Sequence, residues 1–217
     1  MTTNSIGLLG HPAIPYVLPF AVFLVLTELA RWIPGSLLWL YPLKTVLVGG
    51  LLLWFRQAYT ELKPGFSFLA LIVGVLVFAL WIPLYGGYLL LSEPEIVNPY
   101  VLAGRWAPLW IGTRLLGATV IVSIMEELFW RSFLLRYLVN PDFRQVPLGT
   151  FTWFSLFISV LLFGIEHHQW FAGLVAGLAY TLLLYRTKSL FACILAHAVT
   201  NFLLGLYVLN TWQWQYW

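Results

Sequence analysis

Hydrophobic positions in this chain come in long runs separated by short polar connections. Residues 66–84, 148–165 and 190–209 each approach or exceed the roughly 18 apolar residues that a helix needs to cross a bilayer. The pattern predicts seven spans, near residues 14–33, 37–55, 66–85, 112–138, 148–166, 170–186 and 189–209. Prolines punctuate the connections and helix starts as far as Pro147, and none follows. The last three spans are therefore expected to be unbroken helices with short links. LSEPEIVNPY, residues 91–100, reads as the longest loop. The expected fold is all-α, a polytopic transmembrane bundle of seven or eight spans. It forms a single integral-membrane domain over residues 1–217, with three accessory spans in 14–88 and a core of four spans in 112–209.

Composition supports that reading. At 61% hydrophobic and 18% aromatic residues, a soluble protein of 217 residues would have no means of hiding its apolar surface. The net charge of +3 is scattered over short connections, so no nucleic-acid partner is expected. Cys193 is the single cysteine, which excludes an internal disulfide. No Lys or Arg precedes the first span and no small-residue cleavage site follows it, so that span reads as retained. Arg56 and Lys63, Arg136 and Arg144, and Arg186 and Lys188 fall on one side, with Arg31, Arg105, Glu93 and Glu95 on the other. The positive-inside bias then puts the N-terminus in the cytoplasm and the C-terminus outside, in the inner (plasma) membrane of the cell. TWQWQYW at the end reads as an outer aromatic belt.

Charge changes the picture at one place. Only 9% of residues are charged, yet IVSIMEELFWRSFLLRYL, residues 121–138, sets Glu126, Glu127 and Arg131 inside an apolar span. Each costs on the order of 2.5–3.5 kcal/mol at a helix centre unless paired or facing water. Glu127 and Arg131 are four apart with the acid first, the favourable order for a helical ion pair. Glu126 is left over and needs a partner from another helix. The candidates are Glu166, His167 and His168 at the end of span five, and His197 and Asn201, which share one face of span seven. A carboxylate in a helix bundle is a competent general base for water, and a His donor with an Asn amide suits an oxyanion. Cys193 shares a face with His197, but a core position explains it better than a nucleophile does. Lys44 and Arg114 read as snorkelling side chains without a role. Gly173 and Gly177 read as close packing of span six against span five or seven.

Three motifs follow one another on successive spans: EELFWR (Glu126 to Arg131), FGIEH (Phe163 to His167) and HAVTN (His197 to Asn201). In this order they resemble the family of CAAX prenyl proteases and bacteriocin-processing enzymes, glutamic-type intramembrane proteases. The resemblance covers about residues 112–205 and makes the four-span core the catalytic one. It implies that Glu126 and His167 activate a water while His197 and Asn201 hold the oxyanion, with Glu127, Arg131 and Phe163 in support; the lack of HExxH spacing favours a mechanism with no metal or other cofactor. The implied partner is a membrane-anchored protein or peptide, cleaved near a C-terminal lipidated or transmembrane anchor. Whether His167 or His168 faces Glu126 stays open. So do a zinc or iron site on Glu126, His167 and His197, and a non-enzymatic haem or proton-relay protein using His167 or His168 with His197.

Overall fold

A computed structural model describes residues 11–86, 89–91 and 96–217. Among these residues the chain is all-helical. We number seven helices: α1 (Ile14–Trp32), α2 (Leu37–Trp54), α3 (Phe68–Trp81), α4 (Pro99–Tyr137), α5 (Trp153–Glu166), α6 (Trp170–Thr187) and α7 (Leu190–Thr211). Four of them, α1, α2, α4 and α7, are long and apolar enough to cross a membrane. The 14-residue helices α3 and α5 are apolar but shorter than their predicted spans. Capping explains the later starts, while α3 also ends at Trp81, ahead of Pro83. The side chain of Ser67 accepts a hydrogen bond from the Ala70 amide and that of Thr152 from the Ser155 amide, so each helix starts inside its hydrophobic run. The 18-residue α6 is not among the span-length apolar helices, and much of it is buried among its neighbours.

α4 departs most from expectation. Its helix begins at Pro99, well before residue 112, with Asn98 capping it. The predicted loop at 91–100 therefore ends in helix, while its residues 92–95, Glu93 and Glu95 among them, lie outside the described residues. At 39 residues α4 is not uniform. Gly104, at a φ of +52°, enters a turn of 3-10 helix, and π-helical stretches at Gly117–Val122 and Leu128–Leu134 bracket the α-helical turn Ser123–Glu127. π-helical insertions are frequent where a helix carries function. These two flank Glu126 and Glu127.

Large side chains, including Val25, Trp54, Phe157 and Leu182, point outward from the bundle. In water such a surface would be an aggregation hazard, whereas hydrocarbon tolerates it and satisfied helices suit it. Inside, helices approach through small residues. A Cβ on Gly74 of α3 would lie 2.5 Å from the Ala196 carbonyl oxygen of α7. Gly74→Ala is thus expected to destabilise the fold by about 1–3 kcal/mol. A lowered thermal midpoint in detergent is the readout, and an unchanged midpoint contradicts this packing. Gly173 and Gly177 of α6 meet Gly164 and Phe163 of α5, so their close-packing role lies within the chain. Of the C-terminal aromatics, Trp212 is exposed while Trp214 is buried, stacked on Trp217 with ring centroids 5.7 Å apart.

Candidate active site

The two glutamates are adjacent on α4 and so face different ways. Glu126 is 3% exposed, lines a cavity of about 610 Å³, and its Oε2 has no hydrogen-bond partner among the described residues. Glu127 is turned into the protein. Its Oε1 accepts from Nη1 of Arg131 at 3.2 Å and lies 2.9 Å from Nδ1 of His197 on α7. Arg131 also donates to the Gly177 carbonyl at 3.2 Å and places its guanidinium 4.3 Å from the centre of the Phe163 ring. The helical ion pair expected from spacing is present, and it holds α6 and α7 as well.

His167 follows the last residue of α5. Its Nδ1 lies 2.7 Å from the carbonyl oxygen of Phe163. A carbonyl only accepts, so Nδ1 carries the proton and Nε2 of the neutral ring keeps its lone pair. Glu126, Glu166 and His167 each bring a donor atom within 4.8 Å of the others'. His168 turns elsewhere: its Nε2 is 3.0 Å from Nη2 of Arg31. Between the two adjacent imidazoles, His167 is the one beside Glu126. The Phe163 ring forms a common floor, 4.7 Å from the His167 ring and 6.3 Å from that of His197.

On α7, His197 is stacked on Tyr180 at 5.1 Å. The Tyr180 hydroxyl donates to Thr200 at 2.8 Å, fixing the ring. One turn further, Nδ2 of Asn201 donates to the Ala118 carbonyl at 2.9 Å, within the first π-helical stretch. That bond uses one of two amide protons, and the other is donated to Oγ of Ser123 in a longer, weaker bond that a ligand oxygen can replace. Ser123, fully buried, lies 3.5 Å from the same amide.

Glu126, Phe163, His167, His197 and Asn201 all line the one cavity. Residues 106–203 are Rce1-like. They match the family model described as Type II CAAX prenyl endopeptidase Rce1-like. No curated protein and no solved structure matches the chain significantly. The Rce1-like segment runs from within α4 into α7 and contains all three motifs. α1, α2 and α3 lie outside it, yet Phe23, Thr27, Lys44 and Trp81 line the same cavity.

Three features differ from the sequence reading. Glu166 joins Glu126 and His167, so the groups placed to share an ion are these three, whereas His197 is engaged by Glu127. The signal for Glu166 was present in its place beside His167 at a span end. Tyr180, which stacks on His197, gave no signal, because nothing in the α6 sequence distinguishes it from core tyrosines. Lys44 and Arg114, without a role in the sequence reading, face the protein interior. Lys44 is 8% exposed, and both line the cavity that holds Glu126.

Proposed function

We propose that this chain is an intramembrane endopeptidase that hydrolyses a peptide bond near the C-terminal lipidated or transmembrane anchor of a membrane-bound substrate. The Rce1-like segment supports the reaction class. The observation that carries the assignment of roles is the unpartnered Glu126 carboxylate beside His167, in a cavity that His197 and Asn201 also line.

A water between Glu126 and Nε2 of His167 finds two acceptors and directs its remaining lone pair at the scissile carbonyl. Glu126 takes one proton as the oxygen attacks the carbonyl carbon. The carbonyl oxygen becomes an oxyanion, met by the Asn201 amide proton that leaves its long bond to Ser123 and by Nε2 of His197. For His197 to donate there, the ring must be protonated on both nitrogens, and the Glu127 carboxylate at Nδ1 supports that cation. Collapse breaks the C–N bond, and the proton held by Glu126 passes to the leaving amine. The products are a new carboxyl terminus and a short peptide with a free amine.

Asn201→Ala is expected to lower kcat by about 10²–10³-fold, the effect of losing one oxyanion donor. Single-turnover cleavage of a fluorogenic peptide bearing a farnesylated cysteine measures it, and a variant as fast as wild type removes Asn201 from the site. In cells, comparing membrane-protein C-termini between wild type and Glu126→Gln reveals the natural target. A zinc-dependent reading rests on a specific observation, the two carboxylates and one imidazole within 4.8 Å, a donor set that suits zinc. Activity after stringent chelation separates the two.

A further inference from the structure

The cavity that holds Glu126 extends along α4 to a pair of cations. Arg114, Ala118, Val122 and Glu126 all line it, each four residues from the next, so they form one stripe down the helix. At a rise of about 1.5 Å per α-helical residue, and less through the π-helical stretch, the stripe is at most about 18 Å long. Glu126 stands at one end, Asn201 is bonded to Ala118 part-way, and Arg114 stands at the other end one helical turn beyond. Lys44 of α2 reaches the Arg114 end. Its Nζ donates to Oγ1 of Thr27 at 2.9 Å and lies 4.7 Å from the centre of the Tyr41 ring. The Arg114 guanidinium lies 4.7 Å from the same ring centre and 5.4 Å from that of Trp217.

The two buried arginines have carboxylates: Arg131 has Glu127, and Arg136 has Glu61 at 3.0 Å. Among the described residues, neither Lys44 nor Arg114 forms an ion pair, and their like charges face one aromatic ring. Two like charges held against one ring and partly withdrawn from water are costly unless an anion joins them. Arg114 adds a planar fork of donors suited to a carboxylate.

We infer that Lys44 and Arg114 bind the C-terminal α-carboxylate of the substrate and so set cleavage a few residues from its end. This rests on the proteolytic reading. An extended peptide rises about 3.3 Å per residue, so the stripe from Glu126 to Arg114 holds about five residues at most. The scissile carbonyl, lying between Glu126 and Asn201, is then separated from the terminal carboxylate by fewer than that. Continuity with Glu126 and Asn201 favours a peptide terminus over a lipid phosphate, which would need only the cationic end.

The test uses two fluorogenic peptides, each with a farnesylated cysteine near its end, one ending in a free acid and the other in an amide. Wild type in liposomes is expected to cleave the acid at least about tenfold more efficiently in kcat/KM, the effect of one charge-assisted contact. Lys44→Met and Arg114→Gln should erase that preference by slowing the acid peptide alone, and Lys44→Arg should restore part of it. Equal cleavage of both peptides by wild type overturns the inference without any variant. So does an equal loss on both peptides, or a loss that depends on phosphatidylglycerol content instead of the peptide end. Binding to Glu126→Gln, read by fluorescence anisotropy, separates this inference from the reading beneath it. Preferential binding of the acid with no cleavage by wild type keeps the carboxylate site and removes the protease. Equal binding of acid and amide removes the site.

Discussion

Glu126→Gln lowers peptide cleavage by about 10²–10⁴-fold, the range for losing a general base, while the folded protein survives. The two halves of that outcome have separate causes. The amide has the shape of the carboxylate but no basic oxygen to take a proton from water. Stability is spared because Glu126 Oε2 has no hydrogen-bond partner among the described residues and Glu126 forms no ion pair there. Elution from size exclusion and the thermal midpoint should both match wild type, with the rate alone reduced. A variant that retains wild-type turnover removes Glu126 from the chemistry.

Arg131→Met, four residues away, should behave in the opposite manner. Arg131 is 2% exposed and joins Glu127, the Gly177 carbonyl and the Phe163 ring. Removing it leaves the Glu127 carboxylate buried with only His197 for company, and breaking a buried pair costs about 3–5 kcal/mol. The predicted result is a large fall in thermal midpoint or failure to accumulate in membranes, with activity lost as a consequence. Glu127→Gln should fall in the same direction, since it strands Arg131. If Arg131→Met keeps a wild-type midpoint, the pair is not the brace that joins α4 to α6.

The contrast between these residues shows what could be read from sequence. Spacing alone pairs Glu127 with Arg131, because residues four apart on a helix are neighbours. It also isolates Glu126, and the ordered motifs point to His167, His197 and Asn201. The seven apolar runs correspond to seven helices, whose ends moved where a side chain caps the backbone, as Ser67 and Thr152 do. Sequence does not reach relations between helices. The choice between His167 and His168 depends on Arg31, far away in the chain, drawing His168 toward α1. Lys44 and Arg114 look like interfacial cations because hydropathy reports depth, not which face of a helix meets a cavity. The long α4 was legible only in part, since its π-helical stretches preserve no hydrophobic signature.

The measurement that bears most directly on water activation by Glu126 and His167 is the cleavage rate of purified, metal-stripped wild type beside Glu126→Gln, with zinc quantified in both. The account predicts that stripped wild type keeps its full rate and that Glu126→Gln is slower by at least about 10²-fold whether or not zinc is added. A wild type that loses its rate on stripping and regains it only with zinc contradicts the account.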